Sequence, residues 1–144
     1  MFSPGHAGAS AYARVGVETA VTGASPHRLI VLLYQGARQA IAQARMHFQQ
    51  GNAAECGMAI SKAIRIVESG LQQSLNLEVG GEIAGRLNSL YSYMTRRMLE
   101  ANILQSEAML VEIDGLLATL EEAWIGIAPE VARMAAQPAA ESQR

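Results

Sequence analysis

The sequence predicts an all-α protein folded as an antiparallel up-down four-helix bundle. Three features predict it: a helix-forming composition, four apolar stripes at steps of three and four residues, and connections of only a few residues. Half of the 144 residues are hydrophobic and only 5% are aromatic. Ala, Leu, Ile, Val and Met dominate the apolar share, mostly side chains that lose little freedom in a helix. The length suits one domain with a real core. No run alternates polar and apolar residues as a half-buried strand does, so α/β arrangements find no support. Short connections force neighbouring helices to run in opposite directions.

Residues 1–11 are rich in Ala, Gly and Ser around Pro4 and hold too little apolar surface to fix a conformation alone, so a flexible N-terminal arm is expected there. The bundle domain is expected over residues 12–127. It begins with a short amphipathic helical segment, Tyr12 to Val21, which ends at Thr22-Gly23-Ala24. Ser25-Pro26 then opens the first long helix, about residues 26–49, because Ser accepts a bond from the free amides and Pro tolerates the first helical position. Its stripe is Leu29, Leu33, Gly36-Ala37, Ala40-Ile41 and Ala44.

Gly51-Asn52 breaks that pattern, and Asn52 with Glu55 resembles a capping box. The second helix, about residues 53–76, carries Ile60, Ala63-Ile64, Val67, Leu71 and Leu75. Gly80-Gly81 costs a helix interior about 2 kcal/mol relative to alanine and reads as a turn. The third helix, about residues 81–104, carries Ile83, Leu87, Leu90-Tyr91, Met94, Met98 and Ala101. Asn102 and Ser106 signal the next stop and start. The fourth, about residues 107–127, carries Met109, Ile113, Leu116-Leu117, Leu120 and Trp124, with Pro129 limiting it. Residues 128–144, rich in Ala and interrupted by Pro138, are expected to fray or to form one short helix.

Most chemistry is excluded at this level. The longest apolar run, Leu29 to Leu33, is far short of the roughly 18 to 20 residues that span a bilayer. The N-terminus, Met1-Phe2-Ser3-Pro4-Gly5-His6, lacks the basic start and apolar stretch of a secretory signal, and the single Cys56 fits a reducing compartment. A cytoplasmic protein without membrane insertion is expected. A net charge of −2 offers no footprint for phosphate backbones, so nucleic acid is not an expected partner.

A di-iron bundle needs Glu-x-x-His pairs, and His6, His27 and His47 stand in no such pattern. Gly80-Gly81-Glu82 lacks the glycine spacing and lysine of a phosphate loop. Arg96-Arg97 is an ordinary solvated pair. Cys56, between Glu55 and Gly57 with no histidine beside it, reads as a small helix residue. No catalytic residue, cofactor or metal is therefore expected, and the chain is not read as an enzyme.

The stripes are wider than a core needs. Ile30 and Phe48 on the first helix, Met58 and Ile66 on the second, and Leu99 and Ile103 on the third stand beside them. Such second-face residues either pack satellite segments or line a groove for a partner helix. Met58, Met94, Met98 and Met109 add side chains that adapt to several shapes.

Specific motifs sharpen this. Tyr12 precedes Val17-Glu18-Thr19-Ala20, then come Ser25-Pro26-His27-Arg28-Leu29-Ile30 and Leu33-Tyr34-Gln35-Gly36-Ala37. Lys62-Ala63, Gly80-Gly81-Glu82-Ile83-Ala84, Leu90-Tyr91-Ser92-Tyr93-Met94, Ala101-Asn102 and Ala123-Trp124 follow in the same order. The run from Tyr12 through Trp124 resembles the FliS family of bacterial flagellar export chaperones.

The resemblance implies a protein that binds the disordered C-terminal segment of flagellin, prevents premature polymerisation and assists delivery to the flagellar type III export apparatus. It also implies docking at the export gate when loaded and, for some members, contact with the anti-sigma regulator. Under it, Ile60, Ile64, Val67, Asn88, Tyr91 and Tyr93 are expected to wall the client groove. Tyr12, Val15 and Val17 are expected to form a segment over that groove, either a displaceable plug or a fixed strap. Gln35 and Ser92 depart from the family, which usually has Asp at both positions, and so alter local polar contacts. The alternative is a helical adaptor or scaffold for a different secretion client.

Overall fold

A computed structural model describes residues 25–127. The expectations for the arm, for the segment Tyr12 to Val21 and for residues 128–144 lie outside the described residues. Helix α1 spans Pro26–Gln49 and α2 spans Ala53–Arg65, running straight on into a π-helical segment, Ile66–Gln72; α3 spans Leu77–Leu104 and α4 Glu107–Gly126. The bundle expected from periodicity is thus observed.

Cross-helix contacts show the antiparallel order. Gln35 and Arg38 of α1 reach Glu121 of α4, whereas Arg45, further along α1, reaches Glu107. On α2, Gly57 faces Asn102 of α3, and past the π-helical segment's start Gln72 bonds Asn88. One end of the bundle therefore holds the start of α1, the π-helical segment, the start of α3 and the end of α4.

The termini follow local chemistry. Ser25 Oγ accepts from the Arg28 amide at 3.1 Å and Ser106 Oγ from the Met109 amide at 3.3 Å, capping α1 and α4 as the sequence predicts. Asn52 makes no side-chain cap bond to α2. Its Nδ2 instead donates to Gln50 Oε1 at 3.3 Å, so the expected capping box does not form. The start of α3 also differs from expectation. Asn76 Oδ1 accepts from the Val79 amide at 3.0 Å and starts the helix at Leu77, ahead of the glycine pair. The turn expected at Gly80-Gly81 is nevertheless present: Gly81 leaves helical geometry, at φ 57° and ψ −130°, and separates a first helical turn from the long helix that follows it. A left-handed φ of this kind is the one a glycine adopts without steric cost.

The core is a single cluster in which Tyr34, Tyr91, Ile41, Ile60, Met94 and Ile113 are almost wholly buried. Two supposed second-face residues belong to it, since Ile30 is 4% and Ile66 1% exposed. Ile83, expected in the stripe, is instead 65% exposed. It lies two residues past the Gly81 break, where no described residue covers it. The π-helical segment replaces the expected last turns of a plain α-helix, and there buried Gly70 lies against Leu33: a Cβ at this position would sit 2.9 Å from Leu33 Cδ2.

At mid-bundle the Tyr34 and Tyr91 hydroxyls hydrogen-bond to each other and link α1 to α3. Nearby, His27 Nε2 contacts the Trp124 carbonyl oxygen, joining the start of α1 to the end of α4. Burial raises the pKa of both phenols, that of Tyr91 to about 12.

Gly70→Ala should destabilise by about 1 kcal/mol, because overpacking against Leu33 outweighs the better helix propensity of alanine. Gly85→Ala, where a Cβ meets nothing within 4 Å, should stabilise by about 0.5 to 1 kcal/mol. Urea unfolding of both variants checks this, and equal stabilisation would refute the Leu33 constraint. The phenols also set an alkaline limit. Below the ordinary tyrosine pKa of 10.0 both folded and unfolded chains are neutral at these groups. Above it the unfolded chain ionises while the buried pair resists, so stability falls as pH rises toward about 12. Denaturant midpoints measured from pH 8 to 11 should be level and then decline, and Tyr34→Phe should cost about 1 to 3 kcal/mol at neutral pH by leaving Tyr91 without its partner.

Candidate partner-binding groove

The residues expected to wall a groove fall into three places. Ile60, Val67 and Tyr91 are core, at 1%, 0% and 1% exposure, and show almost no surface. Ile64 and Asn88 are half-buried on the facing sides of the second and third helices. Gln72 Nε2 donates to Asn88 Oδ1 at 2.8 Å and to Ser92 Oγ at 2.9 Å, a polar latch at this seam. Tyr93 looks the other way, toward α4, and its hydroxyl donates to Glu112 Oε2 at 2.7 Å. Tyr12, Val15 and Val17 lie outside the described residues.

Arg97 completes the contact to α4. Its Nη2 donates to Glu112 Oε1 at 2.8 Å while its guanidinium carbon stands 6.0 Å from the Tyr93 ring centre. The Tyr93 hydroxyl and then Arg97 hold the Glu112 carboxyl below its ordinary pKa, and the same hydrogen bond to Glu112 raises that of Tyr93. This is a bond between helices on the side of α3 away from α2.

The open surface lies further along the α2–α3 seam, away from the latch. There a shallow groove of about 370 Å³ is lined by Ala54, Gly57, Met58, Ser61, Arg65 and Asn102. Met58 stands on its rim at 71% exposure, while Leu99 and Ile103, on the turns of α3 that carry Asn102, are 53% and 77% exposed. Leu99 and Ile103 are four residues apart and stand together on one side of Asn102, at the edge of the groove. Single exposed apolar residues are ordinary; three large ones around one trough form a patch. Ser61, Arg65 and Asn102 supply polar groups along the groove, and Ala54, Gly57 and Met58 its apolar part. A second shallow trough of about 310 Å³ shares Met58 and Arg65 and lies toward α1, at Gln43 and His47.

Second-face reasoning from the sequence found Met58, Leu99 and Ile103 but missed Ala54, Gly57, Ser61, Arg65 and Asn102. Small and polar residues carry no periodic apolar signal. Of the adaptable methionines, Met94 and Met98 are core, Met109 is half-buried against the core, and Met58 alone is exposed. The two positions that depart from the family both make hydrogen bonds. Gln35 Nε2 donates to Glu121 Oε2 at 3.0 Å, where an aspartate would set two carboxylates together. Ser92 accepts from Gln72. Among the described residues no group of His, Cys, Asp and Glu is arranged to hold a metal ion, and no helix is long and apolar enough to cross a membrane. What the groove offers is adhesion to an apolar helix or strand.

Known proteins place this arrangement in a family. Residues 8–131 match the family model described as flagellar protein FliS. The chain is similar to the flagellar secretion chaperone FliS of Salmonella typhimurium, with 47% identity over 123 residues that cover 85% of this chain and 91% of the relative. It is 43% identical over 116 residues to the flagellar secretion chaperone FliSB of Pseudomonas aeruginosa, covering 81% of this chain and 91% of that protein. Similarity extends to the FliS of Bacillus subtilis, at 28% identity over 107 residues, 74% of this chain and 78% of the relative. The chain therefore belongs to the FliS family, whose named relatives are flagellar secretion chaperones.

Proposed function

We propose that the chain is a cytoplasmic export chaperone that binds the disordered C-terminal segment of flagellin, keeps it from polymerising and hands it to the flagellar type III export apparatus. The observation that carries this reading is the apolar rim of Met58, Leu99 and Ile103 around the α2–α3 groove. A disordered client pays roughly 2 to 5 kcal/mol to order on binding, and contact with a strip of large apolar side chains offsets it. The groove is shallow, so the contact is spread over the surface and stays reversible, as a carrier requires.

In this reading Tyr12, Val15 and Val17 cover part of the client surface until the client displaces them. Tyr12 stands thirteen steps before Ser25, an extended reach of about 45 Å, comparable with the length of the bundle. The loaded chaperone docks at the export gate, and contact with the anti-sigma regulator is a further role carried by the family resemblance.

Calorimetric titration with a peptide of the flagellin C-terminal segment tests the core of this. Leu99→Ser with Ile103→Ser should weaken binding at least tenfold while helicity and melting temperature stay unchanged, since both side chains lie outside the core. Unaltered affinity would remove the groove from the client path. Equal affinity for an unrelated secretion substrate would assign the chain to the helical adaptors instead. Removing residues 1–20 should raise the affinity for the flagellin peptide; a drop in melting temperature without that rise would identify the segment as a fixed strap.

A further inference from the structure

Arg38, Arg45, Arg86 and Arg97 each hold a carboxylate of the chain itself. Arg65 and Arg96 are exposed, and among the described residues neither forms an ion pair. The sequence pair Arg96-Arg97 is thus divided: Arg97 is bound to Glu112 and Glu100, and Arg96 makes no such bond. Arg28 is likewise in no ion pair among the described residues, but it lies at the start of α1, away from the seam between α2 and α3.

The antiparallel register of the second and third helices brings Arg65 and Arg96 to one level. Gly57 faces Asn102 at one end of the seam, and Gln72 bonds Asn88 and Ser92 at the other. Arg65 stands midway between Gly57 and Gln72, and Arg96 midway between Asn102 and the two partners of Gln72. Met58 and Arg65, seven residues apart, share one side of α2; Arg96, Leu99 and Ile103, at steps of three and four, share one side of α3. The groove therefore has an apolar end, at Met58, Leu99 and Ile103, and a basic end before the latch, where Arg65 lines it and Arg96 stands beside it.

Two guanidinium groups at one level present planar, permanently charged donors, the geometry that matches carboxylate oxygens. The nearest acids along the two helices leave them available: Glu68, three residues past Arg65, is not bonded to it, and Glu100 is already bound to Arg97. Two cations are too few to track a nucleic-acid backbone. The second trough continues past Arg65 toward Gln43 and His47 of α1, so a guest passes the arginines and does not end on them. A carboxylate on a side chain within a segment fits this course, and a chain terminus does not. Met58 and Arg65 lie about 10 Å apart along α2, the length of about seven residues of a helical guest or three of an extended one.

We propose that Arg65 and Arg96 are the acid-recognising end of the α2–α3 groove, binding a side-chain carboxylate of the client segment whose apolar side chains rest on Met58, Leu99 and Ile103. This rests on the export-chaperone reading above and adds to it the kind of client sequence that the groove selects, an apolar stretch with an Asp or Glu beyond one end. The contact is exposed, so it governs encounter and register more than total affinity, and it stays reversible.

Calorimetric titration of the full-length chain with a flagellin C-terminal peptide, at low and at high salt, tests the proposal. Arg65→Gln with Arg96→Gln should weaken binding about five- to tenfold at low salt and remove most of the salt dependence of the affinity. Helicity and melting temperature should stay the same, because both side chains are exposed and in no ion pair among the described residues. A peptide whose Asp and Glu are replaced by Asn and Gln should bind the wild type and the double variant equally. Unchanged affinity of the double variant for the unmodified peptide, with the wild type still binding it, overturns the carboxylate contact and leaves the export reading standing. Failure of the wild type to bind the peptide at all overturns both. A defect that persists with the acid-free peptide overturns the proposal in favour of packing by the arginine stems. A defect abolished only by amidating the peptide's C-terminus overturns it in favour of the terminal carboxylate.

Discussion

The hydrogen bond between the buried hydroxyls of Tyr34 and Tyr91 sets the constraint on which the bundle depends, because it ties two helices that are not sequence neighbours. Apolar side chains alone tolerate sliding and rotation of helices against each other; a buried phenol pair does not, since separating the two groups leaves both without water or partner. With α1 and α3 fixed across the diagonal, α2 and α4 are held in the two remaining corners. The contact of His27 with the Trp124 carbonyl oxygen then secures α4 at one end. The remaining core needs only apolar volume of the right shape.

Around that centre the seams are closed unequally. Between α1 and α4, Arg38, Arg45 and Gln35 make a row of charged and polar bonds to Asp114, Glu107 and Glu121. These pairs are partly exposed, so each adds little stability, but in a row they define register and repel an apolar guest. The seams on either side of α3 carry a single polar lock each, Gln72 with Asn88 and Ser92 on one side and Glu112 with Tyr93 and Arg97 on the other. Away from the first of these locks the α2–α3 seam opens into the shallow groove rimmed by Met58.

Much of this was legible from residues alone. Ser25-Pro26 and Ser106 act where capping chemistry places them, and the stripes of the four helices give the core. The glycine pair does break the chain, at Gly81, but the cap at Asn76 adds a helical turn ahead of it that the apolar stripe did not reveal. Periodicity also names faces without saying how far a neighbour reaches over them. Ile30 and Ile66 are covered, Met58, Leu99 and Ile103 are not, and nothing in their spacing separates the two groups. Tyr91 and Tyr93 were expected in one wall, but two residues apart on a helix they face different sides, and the partner Tyr93 meets, Glu112, lies on another helix and is invisible to local pattern. Of the groove residues, Gly57 and Ser61 carry no sequence signal of their own, and Asn102 signalled a helix end without pointing to a groove.

The π-helical segment, Ile66–Gln72, alters the phase of the second helix. A wider turn takes up an extra residue without lengthening the rod in proportion, so the residues before and after it no longer share one angular sequence. In a rod of constant pitch Gln72, seven residues on, would lie within about 20° of Arg65 around the axis; the wider turns rotate it away, so Arg65 can border the open groove while Gln72 lies against α3 at the latch. Such a dislocation lets one helix show an accessible face at one end and a sealed face at the other.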